Sequence, residues 1–195
     1  MEVVVPIADL AGAEFYWHSK SMGSVTLITG GVRSGKSAYA VALANEGPAA
    51  LRRFVIATGQ ALDDEMRERI ARHRMTRPAH FETVEEPVEL GAALAALQNR
   101  AGIVVLDCLT LWVSNLLGQG LSDSAILARA DSLTSALKSA SFPIVVVSDE
   151  VGWGIVPENQ LARRFRDLLG WTNQKVTAVA DNVVLMVAGC RIRLK

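Results

Sequence analysis

Gly30-Gly31-Val32-Arg33-Ser34-Gly35-Lys36-Ser37 spells G-x-x-x-x-G-K-S, the pattern of a loop that wraps a chain of phosphates. Its flanks supply the required context. Val25-Thr26-Leu27-Ile28-Thr29 before it is a β-branched apolar run with the composition of a buried strand, and Ala38-Tyr39-Ala40-Val41-Ala42-Leu43-Ala44 after it is a helix former. Strand, glycine-rich turn and helix in that order let backbone N–H groups converge on phosphate oxygens, with the partial positive charge of the helix N-terminus behind them. Lys36 is then expected to reach the β- and γ-phosphates, and Ser37 to hold Mg2+. A merely structural glycine turn has no need of the Lys36-Ser37 pair.

Outward from this loop, apolar strand-like runs at residues 25–29, 53–57, 103–106, 144–148 and 183–188 alternate with helical patterns at 37–45, 63–74, 88–99, 122–140 and 157–180. The last helix is expected to carry Pro157 near its first turn. This alternation predicts an α/β fold of the P-loop NTPase type, RecA-like, with a mostly parallel sheet, helices on both faces and ligands at the carboxyl ends of the strands. Residues 1–24 read as an N-terminal extension outside the core, and residues 25–195 as one nucleotide-binding catalytic domain. An alternative start at Met22, a remnant of processing and a docking arm all fit that extension.

A chain of 195 residues with 50% hydrophobic and 21% charged residues can bury the core of one such domain. Lys plus Arg and Asp plus Glu both number 20, so no overall basic field draws the protein to nucleic acid or to an anionic membrane. Phosphate affinity must therefore be local. Cys108 and Cys190 lack metal-ligand spacing and fall beside or within apolar runs, which reads as buried, reduced thiols. No apolar run approaches the roughly 20 residues of a membrane span, and the N-terminus lacks the layout of a secretion signal, so the expected location is the cytoplasm.

Three further constellations could carry chemistry. Ile103-Val104-Val105-Leu106-Asp107 is an apolar strand ending in a carboxylate, which could sit beside Mg2+ or cap the helical-looking run that follows; the loop upstream favours the metal. Asp149-Glu150, after the strand at 144–148, could be a rival metal site, a general base or turn formers. The third is residues 63–74, acidic at the start and basic at the end. A solvated, self-paired helix with Glu68–Arg72 contacts accounts for it. Yet Arg67, Arg69, Arg72, Arg74 and Arg77 crowd around His73, and a cluster of that kind suits a triphosphate.

In order along the chain, Thr29-Gly30-Gly31-x-Arg33-Ser34-Gly35-Lys36-Ser37, Ala57-Thr58, Leu62-Asp63-Asp64-Glu65-Met66, His73 with Arg77-Pro78, and Glu150-Val151-Gly152-x-Gly154-Ile155-Val156-Pro157-Glu158-Asn159 resemble the bifunctional adenosylcobinamide kinase/adenosylcobinamide-phosphate guanylyltransferase family of cobalamin biosynthesis. The resemblance covers about residues 25–195. It implies a homotrimer and two reactions: ATP or GTP phosphorylates adenosylcobinamide, and GTP then gives GMP to the phosphate through a guanylyl-histidine, releasing pyrophosphate. Carried over by position, His73 is the nucleophile and Lys36 its catalytic companion. Nucleotide contacts fall on Gly30 to Ser37, on Thr58, Gly59 and Gln60, on Arg74, Met75, Thr76 and Arg77, and on Glu85 and Asp107, with Ser37 and Asp107 at Mg2+. Two departures stand out: Arg72 precedes His73 where some members have paired histidines, and Asp149 stands where asparagine is usual. His80 is a fallback nucleophile, more ordinarily a loop surface residue, and His18 lies in the extension. Trp112, Trp153 and Trp171 could line a corrinoid surface, though core or subunit-interface roles are the commoner ones. A nucleotide-dependent switch or ATPase without metabolite transfer, or an enzyme with one of the two activities, are the rival functions.

Overall fold

The computed structural model describes residues 23–75 and 77–195. The extension expected over residues 1–24 lies outside them apart from Gly23 and Ser24, as do His18 and Thr76. Strands β1 (Val25–Gly30), β2 (Arg53–Ala57), β3 (Phe81–Glu85), β4 (Ile103–Asp107), β5 (Ile144–Val147), β6 (Asn182–Val187) and β7 (Cys190–Arg193) form one sheet in the order β3-β2-β4-β5-β1-β6-β7. All neighbours are parallel except β6 with β7. The helices are α1 (Lys36–Asn45), α2 (Asp64–Met75), α3 (Leu90–Ala96), α4 (Leu109–Gly118), α5 (Asp123–Ser139) and α6 (Gln160–Val179).

Central strands are apolar without alternation because both of their faces are covered. Leu27, Phe54, Ile56, Val104, Leu106, Ile144 and Val146 pack with Leu94 of α3, Trp112 of α4, Leu133 of α5 and Leu168 of α6. The intervening Ile28, Val55, Val105, Val145 and Val147 meet Tyr39, Ala40 and Leu43 of α1 on the other face. The cover is therefore lopsided, with four helices opposite α1. Helix α2 has no buried residue and is half-buried only at Met66 and Ile70, one turn apart.

Topology fixes where a ligand can bind. The connection leaving β1 carries α1 across one face toward β2, while the connection leaving β5 carries α6 across the opposite face to β6, beyond β1. The two diverge between the carboxyl ends of β1 and β5, and such a switch point opens a crevice there.

The sequence reading lacks two strands, β3 and β7. Phe81-Glu82-Thr83-Val84-Glu85 buries only Phe81 fully, and charge on an edge strand guards it against pairing with other chains. Helix α6 begins at Gln160 and not near Pro157, because the Asn159 side chain accepts the Ala162 N–H at 3.1 Å and sets the cap. Helix α3 is shorter than the expected 88–99. Cys190, expected to be buried, is exposed on the edge strand β7.

Candidate active site

The loop between β1 and α1 has the conformation a phosphate requires. Gly30 takes φ 147°, and a Cβ there would lie 2.2 Å from the Met186 carbonyl oxygen of the neighbouring strand, so no other residue fits. Gly35, at φ 96°, precedes α1 without a side-chain cap, leaving the first-turn N–H groups to an anion. Glu150 N–H donates to the Gly30 carbonyl and Gly189 N–H to the Ser34 carbonyl, each at 3.0 Å, bracing the loop from both sides. Ser34 and Lys36 are buried within it, while Gly31, Val32 and Arg33 are exposed. Lys36 Nζ donates to the Gly31 carbonyl at 2.6 Å and pairs with Asp149 Oδ1 at 2.7 Å.

Ser37 Oγ donates to Asp107 Oδ1 at 3.2 Å. Asp107 is not the cap of α4, because Cys108 holds that position and makes no side-chain cap bond. Burial raises the Asp107 carboxyl above its ordinary value; His73, the Ser37 hydrogen bond and Arg77 pull it back, and Asp149 adds to the rise. A hydroxyl and a carboxylate are hard oxygen donors, which suits Mg2+. Among the described residues no group of three or more His, Cys, Asp or Glu side chains could hold a metal, so an ion here would complete its shell with substrate phosphates and water.

The last turn of α2 brings the cationic side of the site. His73 lies within electrostatic reach of Asp107. Arg74 is ion-paired with Glu85 at the end of β3, and Arg77 Nη1 donates to Thr83 Oγ1 at 3.3 Å. Burial lowers the Arg77 guanidinium, Asp107 opposes that shift and Arg74 reinforces it. Self-pairing in α2 includes Arg67 with Asp64, with the Met66 N–H on Asp63 Oδ1 at its start. Arg74 and Arg77 instead turn toward the sheet. Met75 is exposed.

Of the segment after β2, Gly59 and Gln60 are half-buried, but Thr58 is fully enclosed. Its hydroxyl donates to the Cys108 carbonyl at 2.7 Å and accepts the Cys108 N–H at 2.9 Å, while its own carbonyl accepts Asn115 Nδ2 at 2.8 Å. Thr58 thus ties β2 to the turn that carries Asp107. His80 Nε2 bonds Asn45 Oδ1 at 2.8 Å, at the far end of α1 from the loop, about 14 Å away by helical rise, and does not serve the site.

Sequence reasoning missed the layer behind Asp149. Its N–H donates to Thr110 Oγ1 at 2.8 Å, its carbonyl accepts Asn173 Nδ2 at 3.1 Å, and Asn173 Oδ1 accepts Ser148 Oγ at 2.6 Å. No local pattern marks these residues, which come from α4, β5's end and α6. Trp112 is a core residue, its Nε1 donating to the Val88 carbonyl at 2.8 Å, which removes it from any corrinoid or subunit surface. Trp153 and Trp171 are exposed, and Trp153 shares its loop with exposed Ile155 and Val156.

The family described as cobinamide kinase / cobinamide phosphate guanyltransferase matches residues 26–194. The chain is 42% identical over 181 residues to each of the bifunctional adenosylcobalamin biosynthesis proteins CobU of Escherichia coli (strain K12) and Salmonella typhimurium, covering 87% of this chain and 98% of each relative. It is also 42% identical over 171 residues to the bifunctional adenosylcobalamin biosynthesis protein CobP of Pseudomonas aeruginosa, covering 87% and 96%. A solved structure from Pyrococcus horikoshii OT3 superposes with a TM-score of 0.58 at 10% identity over 94% of this chain and 91% of that one, a likeness of fold.

Proposed function

The chain belongs to the cobinamide kinase / cobinamide phosphate guanyltransferase family, and we propose that it performs both reactions in the crevice beside β1 and β5, as a cytoplasmic enzyme of cobalamin biosynthesis. The observation that carries this is the convergence of three parts at one set of strand ends: the loop with Lys36, the Ser37–Asp107 pair, and His73 with Arg77 acting on Asp107.

In the kinase step the acceptor hydroxyl oxygen of adenosylcobinamide bonds to the γ-phosphorus of ATP or GTP. The bond to the bridging oxygen breaks, the diphosphate leaves, and the hydroxyl proton passes to solvent. Lys36 and the first-turn N–H groups of α1 hold the phosphates in line. Ser37 and Asp107 would hold Mg2+, which would supply charge neutralisation on the phosphate oxygens. In the second reaction the lone pair of a His73 ring nitrogen attacks the α-phosphorus of GTP and pyrophosphate leaves. The phosphate of adenosylcobinamide phosphate then displaces the imidazole, forming adenosylcobinamide-GDP and returning His73. Arg77, with Arg74 steered by Glu85, offsets charge on the phosphates. Gly59 and Gln60 line the nucleotide side, while exposed Trp153, Ile155 and Val156 offer apolar surface to a large corrinoid.

Incubation with α-labelled GTP and Mg2+, without corrinoid, is expected to leave an acid-labile, alkali-stable label that peptide mapping places on His73. A label on a lysine, or none, refutes the covalent route and leaves a nucleotide switch or ATPase as the better description. A homotrimer belongs to the same proposal and is supported by the family resemblance. Light scattering should give about three chain masses, and a fully active monomer would refute it.

A further inference from the structure

Asp149 has no part in either step as described, yet it is firmly held at the switch point. It follows β5, the strand between the loop's β1 and Asp107's β4. Thr110 and Asn173 hold its backbone N–H and carbonyl, and the Ser148 hydroxyl orients Asn173. Its carboxylate pairs with Lys36 at 2.7 Å, with the two side chains only 18% and 7% exposed. The ammonium is fully engaged, because Gly31 O lies at 2.6 Å and Ser34 Oγ at 3.4 Å. An ammonium has three protons to donate. A triphosphate that reaches Nζ must therefore displace one of these three partners, and Asp149, the anion among them, is the one that phosphate repels.

We propose that Asp149 is a positioning residue that holds Lys36 across the mouth of the phosphate loop and, once displaced by phosphate, makes nucleotide binding depend on a divalent cation. The inference rests on Lys36 being the phosphate ligand. While the pair is still intact, a phosphate oxygen accepting from Nζ at an ordinary charge-assisted distance would lie no more than about 5.5 Å from that carboxylate oxygen. Asp107 stands on the next strand and already feels the charge of Asp149. Two carboxylates facing a polyanion repel it, and the repulsion is strong where water is partly excluded. A hard cation that accepts one or two carboxylates together with phosphate oxygens removes it. Asp149 thus opposes metal-free nucleotide and favours the metal complex.

The test is calorimetric binding of α,β-methylene-GTP, which cannot guanylylate His73, in EDTA and in Mg2+. Asp149→Asn keeps the size of the side chain and an oxygen for Lys36 while removing the charge. The variant should bind the metal-free analogue about tenfold tighter than the wild type, and the gain in affinity on adding Mg2+ should shrink by about tenfold or more. Asp149→Glu, which keeps the charge, should retain the Mg2+ dependence. Unchanged or weaker metal-free binding by Asp149→Asn overturns the proposal, as does a wild-type protein whose affinity is the same in EDTA and Mg2+, a result needing no variant. A wild-type protein that binds the analogue in neither buffer overturns the nucleotide site itself.

Discussion

Replacing Thr58 by valine separates two roles that the position could have, because valine has nearly the same shape and lacks only the hydroxyl. In the structure that hydroxyl donates to the Cys108 carbonyl at 2.7 Å and accepts the Cys108 N–H at 2.9 Å, and no surface of Thr58 is exposed. The Thr58→Val change would take from the Cys108 N–H the acceptor it has in the structure and leave the Cys108 carbonyl with the Trp112 N–H at 3.3 Å. An enclosed N–H without an acceptor costs about 1–3 kcal/mol and the bond lost at the carbonyl about 0.5–1.5 kcal/mol, which with the partial burial of Cys108 places the change at about 2–4 kcal/mol. That is a large share of the roughly 5–15 kcal/mol by which a domain is stable. At about 2–4 °C per kcal/mol for a chain of this size, the melting temperature should fall by roughly 5–15 °C. Urea unfolding followed by circular dichroism should show a lower midpoint with an unchanged slope, and Thr58→Ser should restore most of the loss. Because Cys108 adjoins Asp107, Mg2+-dependent nucleotide binding should weaken as well. A variant that melts within about 2 °C of the wild type but binds nucleotide poorly would show the hydroxyl facing the ligand, and would refute the assignment of Thr58 as a tie between β2 and β4.

The remaining predictions concern His73 and Asp107. His73→Ala should abolish the GTP label and guanylyl transfer while leaving phosphorylation of adenosylcobinamide largely intact, since γ-phosphoryl transfer needs no covalent relay; parallel assays of the two reactions check this, and equal loss of both refutes it. Asp107→Asn should make the metal-free protein more stable at neutral pH. Burial raises the Asp107 carboxyl, so the folded state holds its proton more tightly than the unfolded state, and wild-type stability falls as pH rises from the ordinary carboxylate value through the raised one. Melting curves of the two proteins should therefore converge on acidification and diverge toward neutrality, with nucleotide-dependent stabilisation by Mg2+ weakened in the variant.

Much of the site was legible because its chemistry is local in sequence. A strand, a glycine-rich loop and a helix place Lys36 and Ser37 wherever the rest of the chain goes, and an apolar strand ending in Asp107 announces a carboxylate at the carboxyl end of the sheet. The cluster of arginines around His73 was equally visible, but whether it pairs within α2 or turns to the sheet was not. Arg74 found Glu85 on β3, a short, half-polar edge strand with too little apolar periodicity to be recognised. Thr58 carried a motif position yet proved to be enclosed, because a hydroxyl's neighbours depend on what packs above it.

Sequence alone determined the α/β alternation and the glycine-rich loop, since each follows from residue spacing within a few turns or strands, and it carried the motifs by which the chain resembles its family. Only the tertiary structure decided that β5 lies between β1 and β4, and with that strand order Asp149, far along the chain from Lys36, comes within 2.7 Å of it. Periodicity sets which segments become strands through the local geometry of the backbone. Which strand ends become neighbours is set by the joint burial of all their faces against α1 on one side and four helices on the other, a property that no window of sequence contains.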